Sequence, residues 1–163
     1  MKLTCPPSMS RSFHLGDETA SYISVEVLSR ARPDATDYSD GNWLNSVVEV
    51  SAGPWRGSYQ ASLRADEFAE FHNQLQVLYE DTGAQPAQFN SMEPWLQLSV
   101  ERSDRLGHLR VVGRAQAEPF FEGHNLLQFV LELDQTYCRV FLMNWRQSST
   151  SFPSPVRRTR PPN

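Results

Sequence analysis

The sequence predicts an α+β domain built on antiparallel sheet, and three patterns carry that expectation. Apolar and polar residues alternate with a period of two across much of the first 64 positions. One stretch after them switches to spacings of three and four, and the alternation then returns in four short runs. Strands and helices do not alternate regularly, which argues against parallel strands joined by crossover helices. The expected order is β-β-β-β-α-β-β-β-β-α, with seven to eight strands arranged as two sheets or a half-barrel. A chain of 163 residues has the size of one domain and buries about 70% of the surface that its unfolded form exposes.

The elements follow in order. Ile23, Val25 and Val27 alternate with Ser24, Glu26 and Leu28, as in a half-buried strand. Leu44 to Ser51 forms another, with Val48 and Val50 on one face, and Ala52-Gly53-Pro54 breaks it. Trp55, Gly57, Tyr59, Ala61 and Leu63 then alternate with Arg56, Ser58, Gln60, Ser62 and Arg64. The short Gly-Pro connection makes these two strands an antiparallel hairpin.

From Asp66 to about Tyr79 the large apolar residues Phe68, Phe71, Leu75 and Leu78 recur at helical spacing, with Glu70, Asn73, Gln74 and Gln76 opposite and His72 assigned to the polar side. Asp66 and Glu67 suit the first turn, where free amides carry partial positive charge. Thr82-Gly83-Ala84 ends the helix. The strand pattern returns at Ala87 and Phe89, at Leu96, Leu98 and Val100, at Leu109, Val111 and Gly113, and at Leu127, Phe129 and Leu131. Arg102 to Gly107 reads as a polar hairpin loop.

A second helix is expected from Asp134, whose carboxylate caps free amides, with Leu133 and Cys138 packed across its first turn. It is expected to bury Tyr137, Phe141, Leu142 and Trp145. Residues 1–147 are read as the domain. Residues 148–163 are rich in Ser, Pro and Arg, cannot bury enough surface to offset ordering entropy, and are expected to be disordered.

Charge is unevenly placed. All 19 acidic residues precede position 135, and without Arg157, Arg158 and Arg160 the formal balance moves from −4 to −7. An acidic body repels nucleic acid and attracts basic partners, although mild acidity also simply aids solubility. No run reaches the ~20 apolar residues of a membrane span, and the N-terminus has no apolar stretch of signal-peptide length. A soluble, cytoplasmic protein is the expectation. Cys5 and Cys138 show no metal or redox spacing, which fits a reducing compartment.

The segment Asp37-Tyr38-Ser39-Asp40-Gly41-Asn42-Trp43-Leu44 places two carboxylates, an amide, a glycine and two aromatics between two strands. Such a loop is either a tight turn or a recognition surface. On the first reading, Asp40-Gly41-Asn42 supplies residues that tolerate positive φ where the chain reverses. On the second, Asp37, Tyr38 and Trp43 are displayed because something binds there. Asp37, Asp40 and Asn42 also look like a fragment of a calcium loop, but the 12-residue framework and its terminal glutamate are missing. No metal, cofactor or catalytic residue is expected. Phosphate loops, nucleophile elbows and zinc patterns are absent from the sequence. His14, His72, His108 and His124 lie far apart, and only Glu122 with His124 could share a proton between near neighbours.

Several short runs together resemble a known family. They are Ser24-Val25-Glu26-Val27-Leu28, Pro33-Asp34, Asp37-Tyr38, Asp40 to Leu44, Ala61 to Ala65, Phe68, Leu78-Tyr79, Met92-Glu93-Pro94-Trp95-Leu96 and Leu131 to Tyr137. From about Phe13 to Trp145 the chain resembles the WapI-like immunity family of small bacterial proteins. The resemblance implies a cytoplasmic binder that blocks the nuclease domain of a polymorphic toxin. Such a partner is expected to be basic, because it must hold phosphate, and an acidic neutraliser gains on-rate against it.

Asp37, Tyr38, Asp40, Trp43 and Glu93 are the expected partner-binding residues, since interface energy concentrates in aromatic anchors among charges. The bland account stays beside it: Trp43, Trp55 and Trp95 stand at strand edges where burial is easy, and Glu93-Pro94 suits a strand-entry turn. Two other classes remain open, an enzyme using Glu93, His124 or Asp40 as acid and base in a sheet cleft, and a homo-oligomeric module.

Overall fold

A computed structural model describes residues 11–122, 125–139 and 156–157. Among these residues eight strands and one long helix run in the order β1 (Arg11–Gly16), β2 (Tyr22–Arg30), β3 (Trp43–Ala52), β4 (Trp55–Arg64), α1 (Ala65–Glu80), β5 (Ala87–Asn90), β6 (Leu96–Arg102), β7 (His108–Gln116) and β8 (Leu126–Asp134). A helical turn follows at 135–139, where continuous description ends. The strands form two separate antiparallel sheets, β1-β2-β3-β4 and β5-β6-β7-β8, each a meander in chain order. The α+β class holds, and of the two expected arrangements the protein adopts two sheets.

The period-two pattern works because each sheet buries one face. Phe13 and Leu15, Ile23, Val25 and Val27, Leu44, Val48 and Val50, and Ala61 and Leu63 all turn inward from the first sheet. In the β3–β4 hairpin Ala52 pairs with Trp55, so the connection is Gly53-Pro54, with Gly53 at a φ of 57° that favours glycine. The second sheet turns Ala87, Phe89, Leu96, Leu98, Val100, Leu109, Val111, Phe129, Leu131 and Leu133 inward.

Helix α1 fills the space between the sheets. The rings of Phe13, Phe68, Phe71 and Phe89 meet there, with centroids between 5.1 and 6.3 Å apart. Each such buried side chain contributes about 1.5–3 kcal/mol. His72, expected on the polar side, is buried. Helical spacing puts it within the apolar stripe: Phe68 and Leu75 flank it at i−4 and i+3, so it shares their buried face. Arg102 of β6 donates to the carbonyls of Leu78 at 2.9 Å and Tyr79 at 3.0 Å, serving the C-terminal groups of α1 that the helix itself leaves free.

Asp134 accepts from the Thr136 amide at 2.8 Å, and Leu133 and Cys138 are both buried, so the second helix begins as the capping pattern suggests. Burial pushes the Cys138 thiol up to about 11. Phe141, Leu142 and Trp145 lie outside the described residues.

Gly113 has its place for a packing reason. A Cβ there would stand 2.1 Å from the Phe129 ring on the paired strand. Gly113→Ala is therefore expected to destabilise the fold by about 1–3 kcal/mol through overpacking. Gly57→Ala, where the Cβ would meet nothing within 4 Å, is expected to be neutral or mildly stabilising. Urea denaturation of the two variants checks the contrast.

Candidate functional site

Strand β4 ends at Arg64, which the register sets opposite Trp43, the first residue of β3. Alternation alone puts both on the outer face of the sheet. Yet Arg64 is only 6% exposed, because the loop between β2 and β3 folds back over it.

The guanidinium donates to Asp66 through Nε at 3.0 Å and Nη2 at 3.3 Å, to the Ser39 carbonyl at 3.0 Å and to the Tyr38 carbonyl at 3.2 Å. It lies against the rings of Tyr38 and Trp43, with centroids 5.2 and 5.3 Å away. These are the partners a charge requires when it leaves water.

Asp66 closes the arrangement. It sits in the first turn of α1, where the helix dipole favours an anion. It receives hydrogen bonds from Arg64 and from the Tyr38 hydroxyl. Burial raises the Asp66 carboxyl, but those hydrogen bonds and the Arg64 charge outweigh it and hold the group below its ordinary value. Glu67, one residue on, accepts from the Arg64 amide at 3.0 Å and from the Met92 amide at 2.6 Å. It thus ties the helix start to the turn between β5 and β6. Arg64 cannot return the capping bond, since a guanidinium only donates.

The loop is ordered from within as well. The Asp37 carboxylate accepts from the Asp40 amide at 2.8 Å, the chief cause of its lowered pKa, and the Asp37 carbonyl accepts from Gly41 at 2.9 Å. Asp40 pairs with Arg32. The expectation of positive φ at Asp40-Gly41-Asn42 is not met: among the described residues the only non-glycine with positive φ is Glu118, and Gly41 does not have one either. Gly41 is there for close approach, because a Cβ would lie 2.6 Å from the Asp37 carbonyl oxygen and 2.9 Å from both the Ala35 carbonyl oxygen and Val156 Cγ2.

Asn42 is fully buried. Its side-chain amide accepts from the Val156 amide at 2.7 Å and donates to the Val156 carbonyl at 3.1 Å, as a strand neighbour would. Of the segment 148–163 only Val156 and Arg157 are described; the rest lies outside the described residues.

The fold thus sets Tyr38 and Trp43, both half-buried, against Arg64, while Asp37 and Asp40 stand on the same loop, Asp40 paired with Arg32 instead. Glu93 stands on the β5–β6 turn, where its carboxylate accepts from the Trp95 indole at 3.1 Å. A cavity of about 430 Å³ separates loop and turn, lined by Tyr38, Trp43, Arg64, Glu67, Asn90 and Met92.

Elsewhere, His108 pairs with Asp104 at 2.5 Å, which raises the imidazole pKa. His14 lies against Tyr22, and His124 is outside the described residues. No group of three or more His, Cys, Asp or Glu side chains is placed to hold a metal ion among the described residues. No helix among them is long and apolar enough to cross a membrane.

Burial pushes Glu67 up to about 7 from an ordinary 4.5. The folded state therefore holds this proton more tightly than the unfolded chain does. Its contribution is complete below pH 4.5, declines between pH 4.5 and 7 and is lost above, an effect on the order of 3 kcal/mol at 1.36 kcal/mol per unit. Glu67→Gln removes the titration. In urea denaturation at pH 5 and pH 7.5 the unaltered protein is expected to lose more stability than the variant; equal losses would contradict this.

The family model described as the immunity protein WapI-like family matches residues 14–153, which takes in β2 to β8, the end of β1, α1 and the loop around Arg64. No curated protein matches the chain. The family is one of immunity proteins, which implies a cognate toxin as the partner. The chain belongs to the WapI-like immunity protein family.

Proposed function

We propose that this protein neutralises a nuclease-type toxin domain by binding it directly, without chemistry of its own, in the cytoplasm of the bacterium that makes both. Asp37, Tyr38, Asp40, Trp43 and Glu93 form the contact in this reading. The observation that carries it is the braced acidic loop: the covered Arg64 holds the Tyr38 and Ser39 carbonyls, which lie between Asp37 and Asp40, and the Asp37 carboxylate accepts from the Asp40 amide.

A nuclease presents cationic groups to phosphate, and carboxylates already fixed in place meet them without a further ordering cost. Tyr38 and Trp43 contribute chiefly by fixing the loop, since their rings face Arg64. Asp37, Asp40 and Glu93 supply the negative potential.

Replacement by asparagine tests the charge while sparing the turn, because an amide oxygen still accepts from the Asp40 backbone. The Asp37→Asn, Asp40→Asn double variant is expected to bind the toxin domain encoded beside its gene with an association rate lowered by roughly 10-fold at low salt. A flatter salt dependence and an unchanged melting temperature should accompany it. An association rate equal to that of the unaltered chain, measured by stopped flow, would remove the loop from the interface.

A further inference from the structure

Beside the acidic loop runs an apolar ledge that the fold leaves uncovered. Met92, on the β5–β6 turn, is 72% exposed, and Phe120, on the loop between β7 and β8, is 66% exposed. Leu28 is 55% exposed at the place where the register of β2 against β3 shifts between Val27 and Ser29. Such a shift marks an extra residue that re-aims side chains.

Trp95 joins the three. Its ring meets Phe120 edge to face with centroids 5.9 Å apart, and it follows Met92 and Glu93 on the same turn. With Leu28, Asn45 and Ser62 it also lines a cavity of about 420 Å³. The position of Trp95 is fixed from below, where its carbonyl accepts from the Tyr59 hydroxyl at 2.6 Å and the Gln116 amide at 3.0 Å.

Two features show that the ledge is built. Glu118 takes a φ of 53° just before Pro119-Phe120, a backbone conformation that a residue with a long side chain rarely adopts. Met92 lines the cavity beside Tyr38 and Trp43, so the ledge is continuous with the loop braced by Arg64. Acids border it: Glu118 is exposed, Glu93 stands between Met92 and Trp95, and Asp37 and Asp40 flank in sequence the Tyr38 and Ser39 that line the cavity. An apolar centre with a charged rim is the layout of a protein interface.

We infer that Leu28, Met92, Trp95 and Phe120 form the apolar centre of the toxin-binding face, fitting a partner that offers projecting apolar side chains ringed by lysine and arginine. This rests on the neutraliser reading above and assigns the chemistry of its partner. Charge complementarity selects that occupant, because the acids at the border repel a second copy of the same face.

The test compares the full chain with Leu28→Ser, Met92→Ser and Phe120→Ser, singly and together, against the toxin domain encoded by the adjacent gene. The expected result is a triple variant whose Kd is at least ten-fold weaker through faster dissociation, with the salt dependence unchanged. Met92→Ser alone should weaken binding in the same direction, which preserves the test if the triple variant melts early. Unchanged affinity in Met92→Ser and Phe120→Ser overturns the proposal while leaving the neutraliser reading intact. A concentration-dependent dimer abolished by the substitutions, with toxin binding unaffected, gives the ledge to a second copy and overturns it too. Absence of binding by the unaltered chain overturns the neutraliser reading and this surface with it.

Discussion

The guanidinium of Arg64, taken out of water at the end of β4, is the constraint around which one end of the molecule is organised. A covered charge is tolerated only when its donors and its charge are matched, and removing one partner of such a pair costs about 3–5 kcal/mol. Four hydrogen bonds and two aromatic faces meet that demand here. They come from the β2–β3 loop, the start of β3 and the first turn of α1. One side chain thereby fixes the relation of a loop, a sheet and a helix. Glu67 extends the arrangement to the second sheet through Met92, and Asn42 extends it to Val156.

In the function proposed above, the organisation acts through preorganisation. Carboxylates on a mobile loop would have to be ordered when a partner arrives, at a cost of roughly 0.5–1.5 kcal/mol for each immobilised side chain. Asp37 is already fixed by the turn it caps, and the same hydrogen bond lowers its pKa. The aromatics of the loop then have a structural role that their position in the sequence does not disclose. Tyr38 and Trp43 face inward onto the arginine, while the exposed apolar groups, Met92 and Phe120, lie on neighbouring turns.

Strands and helix were legible because one-sided burial writes its period directly into the sequence. Val25 and Val27, Leu96 to Val100 and Phe68 to Leu78 could be read that way, and they pack as their spacing implies. Features that depend on distant parts of the chain could not. Arg64 continues the polar alternation of Arg56, Ser58, Gln60 and Ser62, and what covers it comes from residues 25 and 26 positions earlier. A hint was available in the run Arg64-Ala65-Asp66-Glu67, where an arginine directly precedes two acids of a helix start. The partner of Asn42 is 114 residues away, beyond any local pattern. Gly41 suggested a left-handed turn, whereas the real demand is contact with carbonyls and with Val156. His72 was placed by its polarity, and its helical spacing from Phe68 and Leu75 decided otherwise.

Native-state hydrogen exchange on Arg64→Met measures most directly whether Arg64 holds the acidic loop in the shape proposed for binding. The amides of Asp40, Gly41 and Trp43, all hydrogen-bonded within the loop, are predicted to lose protection by at least ten-fold, while the β6–β7 ladder around Val111 keeps most of its own. Loop amides as protected as in the unaltered chain would contradict the account.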